Sequence, residues 1–358
     1  MVLSIVCASL YFVCFFYSLF NKKSRVMFII LIILMGVLFS FRSIYEHDTE
    51  AYNYVYNMAK QTSPNNIPDT YGITKGFIYL MSAFARLGFS FSHFRLILYT
   101  ISMALIFLTI KKIEGNLLLI LCLYAFFPFG YDIDQIRQLL VTSIVIFAFQ
   151  FIMKEEVKTL DIAKYLILIG IACIFHSSAP FYFLFLLILV KRTDFFYLLV
   201  SLCSFFFFGF MIFRADLLGF LGEVLNIEKL VHYSETLSDY TMNPILSIFE
   251  FVFVCYFIWN SNYCKQVNAD NSILADKIWR YSCVSSIALP TLAYSLMFER
   301  LLRPMIWLNY ALMIQTIKNE ELDKDVKATT IVAFIVVIAL RSSISLNYVF
   351  KIFENFSI

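Results

Sequence analysis

Residues 21–41 read NKKSR and then VMFIILIILMGVLFSF, an uncharged apolar run behind Lys22, Lys23 and Arg25. A bilayer core about 30 Å thick is crossed by roughly 20 helical residues, and Lys and Arg collect on the cytoplasmic side of such spans. The run therefore reads as a membrane helix whose basic end lies in the cytoplasm. The rest of the chain repeats the pattern. Of 358 residues, 61% are hydrophobic and 15% charged, and mean hydropathy is +0.80. Soluble domains average roughly 45–50% apolar and about 25% charged, so a water-soluble globule is excluded. Phe occurs 41 times, against 10 Gly and 7 Pro, which excludes disordered and collagenous chains. A net charge of +3 implies no nucleic-acid partner.

Outward from that run, 2–20 is apolar and lacks a basic leader and a small-residue cleavage site, so it reads as a retained helix. Further spans follow, among them 116–131, 138–153, 178–190 and 304–317, about twelve in all (roughly 11–13). The chain is thus predicted to be an all-α polytopic membrane protein with a single transmembrane domain over 1–358. With 21–25 inside, strict alternation gathers Lys111/Lys112, Lys154/Lys158, Lys191/Arg192, Lys265/Lys277/Arg280 and Lys318/Lys324/Lys327 on the same side. Two long loops then face outward. The first, 42–91, carries short helices, one of them the apolar 76–87 segment. The second, 214–244, has amphipathic stretches and reads as a surface-lying lid.

Arginine sorts differently from lysine. Arg42, Arg86, Arg95, Arg137, Arg214, Arg300, Arg303 and Arg341 all fall at or near the outer side, as do His47, His93, His176 and His232. A cation near mid-membrane costs about 2.5–3.5 kcal/mol, and Arg carries a rigid donor fork suited to phosphate. Snorkelling to lipid headgroups accounts for a single arginine as well as function does, but less well for the whole set. The chemistry is expected to face outward.

Four polar blocks stand out. Arg42 precedes Glu46-His47-Asp48 and then Tyr52 and Tyr56. Asp48 either caps a short helix or serves as a general base. The two tyrosines, at i,i+4, suit a sugar-binding wall or an interfacial aromatic belt. Asp132-Ile133-Asp134-Gln135-Ile136-Arg137-Gln138 opens a helix at which Asp134 is expected as N-cap, placing Arg137 and Gln138 in a first turn that favours anions. The bland alternative is an Asp134–Arg137 surface pair. His176-Ser177-Ser178-Ala179-Pro180 breaks a helical hairpin, with His176 either scaffolding or a catalytic base. Glu299-Arg300-Leu301-Leu302-Arg303-Pro304 sets two arginines at i,i+3, able to clamp a pyrophosphate unless Glu299 pairs with Arg303. The eight cysteines are scattered and form no metal-ligand spacing. No nucleotide-binding or metallohydrolase motif is present, so neither a metal site nor a cofactor is expected.

In this order, Arg42-x5-Asp48-x3-Tyr52-x3-Tyr56, Gly76-Phe77, Ile136-Arg137-Gln138, His176-Ser177-Ser178-Ala179 and Arg300/Arg303 resemble the EpsG-like branch of the Wzy polysaccharide polymerases of bacterial envelopes. The likeness is densest over 40–190. It implies a lipid-sugar glycosyltransferase architecture (GT-C-like) in the bacterial inner membrane with its active site facing the periplasm. It also implies transfer of a growing glycan from undecaprenyl pyrophosphate to the terminal sugar of an incoming lipid-linked repeat unit, in O-antigen, lipopolysaccharide or exopolysaccharide synthesis. The implied partners are the undecaprenyl-pyrophosphate-linked oligosaccharide, membrane lipids and a separate chain-length regulator. One departure concerns an EPGF-like block of the family, which here reads Thr74-Lys75-Gly76-Phe77; a role for its acidic residue would pass to Asp48 or Asp69. For this chemistry Asp48, His176 and Arg137 are the expected catalytic residues. Arg42, Tyr52, Tyr56, Gln138, Arg300 and Arg303 are expected to bind pyrophosphate or sugar. A lipid-linked oligosaccharide flippase, an O-antigen ligase and a membrane acyltransferase remain as alternatives, the first disfavoured because charges keep to the ends of the spans.

Overall fold

The computed structural model describes residues 13–15, 17–18, 24–41, 47–68, 72–113, 116–212, 244–267, 272–289, 296–318, 327–328 and 331–332. Arg42, Asp69 and, apart from Pro244, the loop 214–244 lie outside the described residues. Every described element is helical. In chain order they are α1 (Arg25–Phe41), α2 (His47–Met58), a 3-10 turn (Pro64–Asn66), α3 (Lys75–Arg86), α4 (Phe91–Ile113), α5 (Leu117–Phe126), α6 (Phe129–Asp134), α7 (Ile136–Ile152) and α8 (Thr159–Phe175). A 3-10 helix (Ala179–Leu189), α9 (Thr193–Ile212), α10 (Pro244–Val267), α11 (Ser272–Ser285), 3-10 segments Ser286–Ala288 and Leu296–Leu302, and α12 (Arg303–Ile317) complete the set.

The helices sort their faces against an apolar surround. Ser24 Oγ accepts the Met27 N–H (3.2 Å) and opens α1. That helix buries Leu31, Met35, Leu38 and Phe39 while exposing Val26, Ile29, Ile33 and Val37. On α8, Leu160, Ile167, Ile171 and Ile174 are likewise exposed, as are Phe205 and Phe206 on α9. Outward-facing apolar stripes of this extent suit hydrocarbon and not water. Among the described residues α4 is long and apolar enough to cross a bilayer unaided, and α1, α5, α7, the 3-10 helix Ala179–Leu189 and α9 are shorter apolar helices.

At the centre lie α7 and α12, buried along nearly their whole length. α7 packs between α4 and α8, and α12 touches α4, α5, α7, α10 and α11. Two expected spans are broken. The segment 116–131 stops as α5 at Phe126 and restarts beyond Pro128, which caps the short α6, because proline donates no N–H to continue the ladder. The segment 178–190 is a 3-10 helix. There the Tyr165 hydroxyl donates to the Tyr182 carbonyl (2.6 Å), occupying an acceptor that an α-helical N–H would otherwise use.

α3 is a packed helix that buries Phe77, Ile78, Met81 and Ala85. Its start docks on the end of α8, where Thr74 Oγ1 donates to the Phe175 carbonyl (2.5 Å). Gly76 permits this approach, since a Cβ there would overlap both the Ile174 carbonyl oxygen and its Cγ2. The Gly76-Phe77 block thus presses α3 against the turn that carries His176. Gly76→Val should displace α3 and cost about 1–3 kcal/mol or more, read as a lowered Tm in detergent. Gly72→Ala, where no neighbour lies within reach but φ is +60°, should cost less, about 1 kcal/mol.

Candidate functional site

The site forms where the start of α7, the start of α2, the turn after α8 and the segment entering α12 converge. Gln135, not Asp134, is the residue before α7, because α6 extends through Asp134. Asp134 Oδ1 instead accepts the backbone N–H (3.1 Å) and hydroxyl (2.9 Å) of Thr49 in the first turn of α2. It caps a helix 85 residues distant, and its expected roles as cap of α7 or partner of Arg137 give way to that. The cap holds the start of α2, and so Asp48, beside α7.

Beneath lies an ion pair between Arg303 Nη1 and Asp132 Oδ1, with the two side chains 1% and 0% exposed. Asp132 Oδ2 also accepts the Tyr124 hydroxyl (2.9 Å), and Arg303 Nη2 donates to Gln135 Oε1 (2.6 Å). Arg303 is therefore neutralised, which corrects its expected place in a pyrophosphate clamp. Its carboxylate partner is Asp132, not the Glu299 one turn earlier. Tyr56 is corrected as well. It is fully buried, its ring lies 5.4 Å from those of Phe91 and Phe94, and its hydroxyl donates to the Phe89 carbonyl (2.9 Å). A tyrosine so enclosed is scaffold and offers no wall to a sugar.

Arg137 sits in the first turn of α7, its Nε donating to the Tyr52 hydroxyl (2.8 Å) and its Nη1 to the Gly72 carbonyl (3.1 Å). The guanidinium also lies 5.2 Å from the Tyr52 ring centroid. Tyr52 is itself buried, so its visible task is to hold Arg137. Both donor bonds go to neutral acceptors, so the charge of Arg137 is uncompensated by either. Gln138 Nε2 donates to the Arg300 carbonyl (2.9 Å) and lies 3.4 Å from the Tyr182 hydroxyl. It ties α7 to the segment before α12.

Arg300 differs from Arg303. The Nε of each is buried and unbonded, but among the described residues the Arg300 guanidinium has no counterpart to the Asp132 and Gln135 bonds of Arg303. The electrostatic neighbours of Arg300 include Arg303, Asp48, Tyr52 and Arg137. His176 follows the last turn of α8 and is nearly buried. Burial, reinforced by the charges of Arg137, Arg300 and Arg303, pushes its pKa down to about 3. The structure therefore gathers Asp48, Tyr52, Arg137, Gln138, His176 and Arg300, while Tyr56 and Arg303 support the scaffold. Sequence reasoning missed Tyr124, Ser178 and Tyr182 and gave Asp132 no partner. The available signal was the polar run 132–138, whose two carboxylates outnumber its one cation, Arg137.

The sequence model of the EpsG family matches residues 25–354 of this chain. No curated protein and no solved structure matches it.

Removing one member of the buried ion pair, as in Asp132→Ala or Arg303→Ala, should cost about 3–5 kcal/mol, because a bare charge is left inside. Asp132→Leu combined with Arg303→Met should recover much of that loss in thermal melts of the detergent-solubilised protein. His176 gives a separate expectation. Its unfolded pKa is near 6.5 and its folded pKa is depressed, so below pH 6.5 the unfolded chain takes up a proton that the folded chain refuses. Stability should then fall with pH at up to about 1.4 kcal/mol per unit from this group. His176→Gln should flatten the slope of Tm against pH between 6.5 and 4.5; an unchanged slope would place the ring in a solvated setting.

Proposed function

Because the chain belongs to the EpsG family, we propose that it is a polysaccharide polymerase of the bacterial inner membrane, acting on the outer face. It transfers a growing glycan from a polyprenyl pyrophosphate to the terminal sugar of an incoming lipid-linked repeat unit. The lipid-sugar glycosyltransferase architecture with about twelve spans expected from the resemblance belongs to the same reading. The undecaprenyl carrier, the separate chain-length regulator and the outward orientation rest on the resemblance and on the distribution of Lys and Arg.

The observation that carries the reading is Arg300. Among the described residues its guanidinium makes no hydrogen bond, whereas Arg303, whose Nε is likewise unbonded, commits both terminal nitrogens to Asp132 and Gln135. An arginine with no such partner forgoes interactions that a purely structural arginine would make. With Arg137 it supplies two positive charges near one carboxylate, Asp48. That excess positive charge matches a pyrophosphate leaving group, which gains negative charge as the glycosidic bond breaks. Fixed cations aimed at developing charge lower such a barrier without rearranging, so the transfer is read as metal-independent. Asp48 is the carboxylate that acts on both Arg300 and Tyr52. It is read as the base for the acceptor hydroxyl. Tyr52 and Gln138 hold the cationic side in place, the first through Arg137 and the second through the Arg300 backbone.

In cells lacking the native gene, Arg137→Ala and Arg300→Ala should each lower polymerisation by about 10²–10³-fold. Long chains should vanish from the glycan ladder and lipid-linked single units should accumulate. Arg300→Lys should restore a fraction, since Lys keeps the charge and loses the planar fork. A normal ladder in both alanine variants, with the proteins present at wild-type levels, would remove the polymerase reading.

A further inference from the structure

His176 has extended backbone torsions (φ −149°, ψ 134°) at the end of α8, and its ring folds back onto Ser178. Two groups of Ser178 meet Nδ1, the backbone N–H at 3.1 Å and the hydroxyl oxygen at 2.8 Å. A backbone N–H only donates, so Nδ1 must present its lone pair, and the proton of the neutral ring resides on Nε2. The hydroxyl has a second acceptor in reach, Gln138 Oε1, but at 3.5 Å, and the shorter contact dominates. Gln138 in turn is oriented by the Arg300 carbonyl, which accepts from its Nε2 at 2.9 Å. Ser178 thus stands between the imidazole and the residue that ties α7 to Arg300. Among the described residues, Nε2 of His176 has no hydrogen-bond partner.

We propose that Ser178 is a positioning residue that holds His176 with Nε2 protonated, so that His176 enters the transfer as a hydrogen-bond donor to the departing pyrophosphate and Asp48 alone acts as base. This rests on the polymerase reading and assigns the roles within it. In the step, the acceptor hydroxyl gives its proton to the Asp48 carboxylate as its oxygen bonds to the anomeric carbon of the donor glycan. The bond from that carbon to the pyrophosphate oxygen breaks, and its electron pair leaves with the polyprenyl pyrophosphate. Arg137, Arg300 and the His176 Nε2–H face the charge that develops there. His176 cannot be the base in this arrangement. One ring nitrogen already carries a proton, and the lone pair of the other is held by two donors.

The test compares variants in cells lacking the native gene, with the cell's own lipid-linked repeat unit as substrate. Chain length is read from the glycan ladder and protein level from a blot of the membrane fraction. Glutamine presents an amide N–H near the place of Nε2–H but takes up no proton at physiological pH. His176→Gln should therefore keep polymerisation within about tenfold of wild type, while His176→Ala should lose about 10²–10³-fold. Ser178→Ala should reduce the rate and Ser178→Thr, which keeps the hydroxyl, should restore it. In a His176→Gln background, Ser178→Ala should add no further loss, because the ring nitrogen that its hydroxyl holds is gone. A His176→Gln variant as inactive as His176→Ala, with lipid-linked single units accumulating, would make His176 the base and overturn the inference while the polymerase reading stands. An additive loss in the double variant would make Ser178 structural and overturn its positioning role. Normal ladders in Arg137→Ala and Arg300→Ala would instead bring down the polymerase reading itself.

Discussion

A guanidinium and a carboxylate, both withdrawn from solvent, hold this site together. Transferring Arg303 and Asp132 out of water costs several kcal/mol per ion, and their attraction offsets that cost only if the remaining donors and acceptors are also met. Here Tyr124 takes the second carboxylate oxygen and Gln135 the second guanidinium nitrogen. The pair joins residues 171 positions apart and so fixes the start of α12 against α6. From there the arrangement propagates. α6 holds Asp134 against the first turn of α2, and α7 begins two residues later and brings Arg137 against Tyr52 of α2. An apolar substitute of equal volume could match the stability but would leave the relative rotation of α6 and α12 less strictly set.

Two arginines three residues apart thus meet opposite electrostatic fates. Arg303 opens α12 and turns to Asp132, which cancels its charge. Arg300 belongs to the preceding 3-10 segment, whose 3-fold repeat differs from the 3.6-fold repeat of an α-helix. In a 3-10 helix side chains at i and i+3 lie nearly eclipsed, so the two arginines leave from one side of the chain and are told apart by their partners. The buried Asp132 carboxylate therefore distinguishes them, bonding Arg303 and not Arg300. The positive potential at the site then comes from Arg137, bound among the described residues to a phenol and a carbonyl, and from Arg300.

Much of this was legible from local pattern. The apolar run 26–41 is α1 within one residue, and the break at His176 falls where Ser, Ala and Pro punctuate the chain. Tyr52 and Tyr56 do share a buried face of α2, as their spacing required. Their tasks were not legible, because the partners, Arg137 and the Phe89 carbonyl, lie 85 and 33 residues away. Asp134 shows the same limit. Local rules made it the cap of the helix that follows in sequence, yet the intervening turn of α6 hands it to α2. Where a polar side chain in a membrane protein finds its partner is a tertiary question, and periodicity reports only which face it leaves from.

The same distinction bears on why the site tolerates a neutral imidazole among arginines. An imidazolium at His176 would add a third uncompensated charge beside Arg137 and Arg300, in surroundings too dry to screen it. The turn after α8 removes that possibility locally, since the Ser178 N–H sits where an Nδ1 proton would have to be. Gly76 makes this turn rigid from the other side by bringing α3 onto the Ile174 carbonyl, and Thr74 takes the next carbonyl, that of Phe175. The final two carbonyls of α8 before His176 are thus packed or bonded by α3. The imidazole therefore leaves a backbone fixed on both sides. A donor aimed at transient charge works only if it need not reorient when that charge appears, and the contacts of α3 and Ser178 meet that condition through packing and two hydrogen bonds.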